Sequence, residues 1–184
     1  DLSSFNRAVR EGRMVGTNGP YIDARIPDAA GVSHGPALEA FTPASGAMLN
    51  VEVRAAPWIP VTEVRFVVNG RVARTIPAAM LTQPADAFGA DGVVRWRGAV
   101  SLAELTSGRD AWIVVEAGLP FPSTRDAEDD DGYIDRIDGD GDGVVNDTTL
   151  ARAREGDARR HFDVVTPHAL PYAFTNPFVV DVDG

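Results

Sequence analysis

The chain has 184 residues, a formal net charge of −10 and an apolar fraction of 44%, which suits one domain, or one domain plus a decorated loop. Cysteine is absent and all 17 basic residues are arginine, so disulfides, thiolate metal sites and cysteine nucleophiles are excluded together. No apolar run approaches the roughly 18 residues of a membrane span, no signal peptide is read, and no basic patch points to nucleic acid.

Taken in chain order, Ser3 or Ser4 is placed to cap a short helix ending near residue 11. Phe5, Ala8 and Val9 line one of its faces, and Gly12 supplies the stop. The pattern then turns to β. Residues 21–26, 48–55, 61–69, 71–76, 93–100, 112–117 and 178–182 are short and rich in Val, Ile, Phe and Trp. Several alternate apolar with polar side chains, as in Leu49-Asn50-Val51-Glu52-Val53-Arg54. Asn69-Gly70 between two such runs is the strongest hairpin signal, although an uninterrupted two-residue turn would set Arg65 opposite Arg74. Short strands with many Gly and Pro residues predict an all-β chain, an antiparallel β-sandwich of immunoglobulin-like or jelly-roll-like type with a short N-terminal helix. Two inserts interrupt it: a loop at about residues 27–46, and a long segment at residues 120–177 with a weak helical stretch at 150–160.

Residues 126–147, DAEDDDGYIDRIDGDGDGVVND, hold ten acids and one arginine and so carry −9 of the net charge. Like charge at this density needs neutralising before it can fold, and the acids are spaced for that. Asp138, Asp140 and Asp142 alternate before Gly143, the way a chain wraps carboxylates around a hard cation with glycine at the bend. One loop starts at Asp138, with Asp140 and Asp142 at its third and fifth positions, the Val144 carbonyl at its seventh and Asn146 at its ninth. A second uses Asp129, Asp131, the Tyr133 carbonyl and Asp135, and reaches Asp138 at its twelfth position. The expectation is one or two structural Ca2+ ions, with Asp138 shared. Ala127 at the first position of one loop and Thr149 at the twelfth of the other depart from an EF-hand. The arrangement resembles the aspartate-rich calcium loops of thrombospondin type 3 repeats and dockerins. Such sites work where calcium is plentiful, so an extracytoplasmic location (secreted, periplasmic or cell-envelope) is expected.

Three histidines, His34, His161 and His168, fall in no H-x-H, H-E-x-x-H or G-x-S-x-G pattern and read as surface or hydrogen-bonding residues. Ser33 and His34, being adjacent, point apart and make no dyad by themselves. Trp96 and Trp112 sit within strands and are expected in the core, whereas Trp58, between Pro57 and Pro60, is the tryptophan expected at the surface.

The N-terminal run from Phe5 to Pro20, FNRAVREGRMVGTNGP, resembles the segment that follows the catalytic domain in PHP-superfamily metal-dependent hydrolases of the CehA/McbA type. Residues 58–71 (WIPVTEVRFVVNGR) and 173–184 (AFTNPFVVDVDG) agree with that pattern in order, and the acidic block lies outside it. The resemblance implies a bacterial, phosphoesterase-like parent whose His and Asp metal ligands lie upstream, so no catalytic residue is carried onto this chain. It implies that residues 1–16 end a preceding catalytic domain or linker helix. Residues 17–184 would form a β-sandwich accessory domain with the calcium-loop insert at about 123–165. The expected function is that of a non-catalytic, calcium-binding accessory domain, its partner being the parent's own N-terminal catalytic domain. The alternative is a carbohydrate- or surface-binding module with a carbohydrate or cell-surface ligand.

Overall fold

A computed structural model describes residues 1–85, 92–120, 124–125, 136–137 and 170–182. The chain divides into two compact units, one made of Asp1–Gly118 with Pro171–Gly184, the other of Leu119–Leu170.

The first unit opens with α1 (Leu2–Arg10), capped by the Asp1 carboxylate, which accepts from the Ser4 backbone N–H at 2.8 Å. The cap is thus Asp1, not Ser3 or Ser4; only Asp1 stands far enough ahead of the first helical turn. The helix stops at Gly12 as expected. Gly12 has φ +70°, its N–H reaches the Val9 carbonyl, and the Arg13 N–H reaches Ala8, a Schellman closure. A Cβ at Gly12 would lie 2.7 Å from Leu38 Cγ, so close approach demands glycine as much as backbone angle does.

Strands follow: β1 (Val15–Thr17), β2 (Tyr21–Pro27), β3 (Ser33–His34), β4 (Ala37–Phe41), β5 (Met48–Arg54), β6 (Glu63–Val68), β7 (Arg71–Pro77) and β8 (Val94–Ser101). A one-turn helix α2 (Leu102–Thr106) leads to β9 (Ala111–Gly118), and β12 (Tyr172–Thr175) and β13 (Phe178–Val180) complete the unit. One sheet has the order β3-β2-β5-β8. The other is centred on β9, with β6 and then β7 on one side. On its other side β9 pairs with β12 and β13 in succession, β12 carrying β1 and β13 carrying β4. All these pairings are antiparallel except β13 with β4. Segment 27–46, expected as a loop, therefore contains two strands. The partner of β4 lies at the far end of the chain, beyond the reach of local patterning.

The alternation read from sequence becomes the core. Ile22, Ala24 and Ile26 of one sheet, with Leu49, Val51 and Val53, belong to the same buried cluster as Val64, Phe66, Ile113, Val115, Phe178 and Val180 of the other. Burying each of the larger side chains contributes about 1.5–3 kcal/mol. The chain is thus mainly β, two packed sheets with a short N-terminal helix.

Two bulges adjust the register. The Asn69-Gly70 turn has positive φ at both residues, 49° and 80°, as its hairpin type requires. Val67 pairs with Val72 but Phe66 pairs with Arg74, so Ala73 is the extra residue and Arg65 lies opposite Thr75. The bulge removes the Arg65–Arg74 juxtaposition that an unbroken hairpin would impose. On β8, Val53 pairs with Trp96 and Arg54 with Val94, leaving Arg95 as the bulged residue. Its side chain is redirected inward and is 1% exposed. One terminal nitrogen, Nη2, donates to the carbonyls of Ala56, Pro57 and Ile59 at 2.7, 3.1 and 3.0 Å. Burial holds its pKa below the ordinary arginine value.

The second unit is described at one antiparallel pair, β10 (Thr124–Arg125) with β11 (Arg136–Ile137), in which Arg125 lies across from Arg136. Among the described residues no helix is long and apolar enough to cross a membrane.

Candidate functional site

The sequence-predicted calcium ligands Asp129, Asp131, Tyr133, Asp135, Asp138, Asp140, Asp142, Val144 and Asn146 lie outside the described residues, as do His161, His168 and the helical stretch 150–160. Among the described residues no three His, Asp or Glu side chains converge to hold a metal ion.

The segment bearing Thr17-Asn18-Gly19-Pro20 is a fastening. Thr17 Oγ1 accepts from the Gly19 N–H at 2.9 Å and donates to the Pro20 carbonyl, which closes the turn on itself. Asn18 then bonds Tyr172 twice, its N–H to the Tyr172 carbonyl at 3.1 Å and its Oδ1 accepting from the Tyr172 N–H at 2.6 Å. One step beyond, Tyr172 pairs with Gly118, the residue at which the chain leaves the sandwich for segment 119–170. Gly118 has φ +146°, and a Cβ there would lie 2.1 Å from the Pro171 carbonyl oxygen, so only glycine fits. Exit and return are thus neighbours across the β9–β12 ladder. Tyr172 also accepts from Arg65 at 3.3 Å, and Arg65 is paired with Glu116 at 2.9 Å and Glu63 at 3.2 Å. Burial, reinforced by Glu116, pushes the Tyr172 hydroxyl well above its ordinary pKa.

Exposed apolar surface gathers on α1. Leu2, Phe5 and Val9 are 73%, 63% and 41% exposed, and no residue of the helix is buried. Their spacing places them on one face. Trp96 packs edge-on against Phe66 at 6.0 Å, as its expected core position implies. Trp112 does not: it stands on the outer face of β9, 43% exposed, the same value as Trp58. Its N–H donates to Asn69 Oδ1 and its ring lies over Gly70, which fixes it against the hairpin turn. β9 presents alternate residues to opposite faces, and Ala111 and Ile113 take the inner one.

One cleft, of about 650 Å³, is lined by residues 13–15, 21–25, 32–37 and 39–41. At one end His34 Nε2 donates to Asp28 Oδ2 at 2.8 Å, and the imidazole stacks on Phe41 at 4.4 Å and 8°. Asp28 Oδ1 accepts from the N–H groups of Ala30 and Val32, so the carboxylate both closes the β2–β3 turn and orients the ring. The His34 contact and these N–H groups hold the Asp28 carboxyl below its ordinary range, against an opposing desolvation. His34 is thus a hydrogen-bonding residue, as expected, while Asp28 as its partner escaped sequence reading. The available signal was the turn sequence Asp28-Ala29-Ala30-Gly31, which brings two short strands together.

Comparison of the chain with protein-family models, with curated proteins and with solved structures finds no match in any of the three.

Proposed function

We propose that the chain is a non-catalytic accessory β-sandwich that packs through the apolar face of α1 against the catalytic domain of a PHP-type metal-dependent hydrolase, outside the cytoplasm. The observation that supports this is the stripe Leu2, Phe5 and Val9, turned outward on a helix that buries nothing within its own sandwich. The resemblance of residues 5–20 to the segment following such catalytic domains names the occupant. In this reading Thr17-Asn18-Gly19-Pro20 fastens the junction, and the acidic insert is stapled by one or two Ca2+ ions. Dissociation constants of about 10⁻⁴–10⁻³ M are expected of such loops, worth ~0.4–1.4 kcal/mol at about 1 mM calcium.

The test is made in the parent chain. A D-x-H motif is expected shortly upstream of Asp1, and Phe5→Asp is expected to lower the catalytic domain's melting temperature while leaving this sandwich folded. Unchanged melting of both domains would defeat the docking role. For the staple, calcium is expected to slow protease cleavage within residues 123–165, and equal cleavage with calcium and with chelator would remove it.

A second reading, a carbohydrate- or surface-binding module, is favoured by the exposure of Trp58 and Trp112.

A further inference from the structure

The cleft beside β2, of about 650 Å³, has its charges arranged in an informative way. Arg25 is paired with Asp23 at 2.9 Å and Arg13 with Glu11 at 3.0 Å. Each cation is already answered by an acid from the same neighbourhood. Glu39 lines the cleft without an ion pair among the described residues, so no cationic excess remains to attract an anion. The cleft nevertheless offers many directed donors and acceptors held rigid by those pairs. They comprise the guanidinium and carboxylate edges of Arg25 and Asp23, the Glu39 carboxylate, and the second ring nitrogen of an imidazole held by Asp28 and Phe41. Tyr21, half exposed at the rim, adds an aromatic face and a hydroxyl.

Polar groups with no cationic excess, set beside an aromatic ring, suit a neutral ligand dense in hydroxyl groups. Such a ligand gives and accepts hydrogen bonds without having to neutralise a charge, and C–H faces of its ring can lie on the aromatic side chain. An anionic ligand would have to break an existing ion pair or face the Glu39 carboxylate. The volume of about 650 Å³ lies within the range of small-molecule sites. We propose that this cleft is a binding site for a neutral saccharide, with Tyr21 as the stacking platform and Asp23, Arg25, Glu39 and His34 as the hydrogen-bonding groups. The proposal rests on the binding-module reading and moves its site from the exposed tryptophans to β2, β3 and β4. It does not depend on what α1 packs against.

The test is a heteronuclear NMR titration of the 184-residue chain with xylotriose, cellotriose, mannotriose and chitotriose, with sodium acetate and spermidine as charged controls. At least one trisaccharide is expected to shift amides of residues 21–25 and 33–41. Tyr21→Ala and Asp23→Asn are each expected to weaken that binding at least tenfold with the remaining spectrum unchanged, and Trp58→Ala is expected to leave it intact. Shifts confined to Trp58 or Trp112 would overturn the cleft site while keeping the module reading. Absence of any trisaccharide shift would overturn both. Stronger cleft shifts with acetate or spermidine would replace the saccharide with a charged ligand and overturn the proposal.

Discussion

Asn18 and Tyr172, 154 positions apart in sequence, hold each other by two hydrogen bonds, one of them through the Asn18 side chain. The amide oxygen acts as one more backbone carbonyl and prolongs the β1–β12 ladder past Thr17. Because Tyr172 also pairs with Gly118, this contact seals the point where segment 119–170 departs and returns. Replacing Asn18 with Ala removes the side-chain half of the pair. A loss of about 1 kcal/mol is expected from urea unfolding monitored by tryptophan fluorescence. Asn18→Asp retains an acceptor and is expected to recover part of that loss.

Gly118→Ala strikes the same seal from its other side. The substitution forces a side chain into a backbone region reserved for glycine and into the Pro171 carbonyl. A loss of at least about 3 kcal/mol is expected, read as a lowered denaturation midpoint at unchanged slope.

The ends of segment 119–170 meet in the sandwich, and the entropy cost of closing a loop grows only slowly with its length. Replacing residues 120–169 with a short Gly-Ser linker is therefore expected to leave the melting temperature of the remaining sandwich within a few degrees of the intact chain. Any calcium effect on melting is expected to vanish in that variant. Loss of cooperative melting on calorimetry would show that the sandwich needs the segment.

Acid sensitivity has a defined direction. Asp28 and Glu52 both titrate below the ordinary carboxyl range, Asp28 chiefly through His34, Glu52 through Arg97 and Arg54, which outweigh the larger single contribution of its own desolvation. A depressed folded-state pKa means that the unfolded chain binds protons first. The stability these groups confer is thus complete above about pH 4 and is lost as pH falls through their lower folded values. Asp28→Asn is expected to flatten the dependence of the urea midpoint on pH between about pH 4 and pH 2, and an unchanged slope would dissociate Asp28 from it.

Arg95 is a buried cation whose Nη2 is its contact to the carbonyls of residues 56, 57 and 59, while its Nε finds no partner among the described residues. Arg95→Met leaves those carbonyls unanswered in the interior. At least about 2 kcal/mol of destabilisation is expected, together with greater hydrogen exchange in residues 55–62. Arg95→Lys is expected to recover little, because a single ammonium does not match the guanidinium's planar donor set.

The seven strands read from apolar alternation are present, with ends moved by at most two residues, because a half-buried strand writes its burial into the sequence with period two. Strands β1, β3, β4 and β12 left no such trace. Each is short, and β4, with pattern Ala-Leu-Glu-Ala-Phe, is positioned by a parallel partner more than 130 residues away. Arg95 was hidden for a related reason: a bulge reverses the direction its place in β8 would predict. Trp112 misled through residue type, since its strand position parity, opposite to that of Ile113, places it outside. At the cleft, His34 was visible as a hydrogen-bonding residue. The company it keeps was not, because Asp28 and Phe41 meet it only after three strands and a turn have formed.

The parallel pairing of β13 with β4 also sets an order of events. Phe178 and Val180 fill the centre of the core, and β4 waits for them from the first quarter of the chain. Everything between must be synthesised before that sheet can close, so the nascent sandwich keeps an unfilled apolar slot throughout elongation. High sequence separation of this kind slows folding and prolongs exposure to aggregation. The N-terminal sheet β2-β5-β8, whose partners lie within about eighty residues, is the portion able to assemble early. Maturation of the domain is therefore a late, C-terminal event, accomplished when a three-residue strand slides in beside β9.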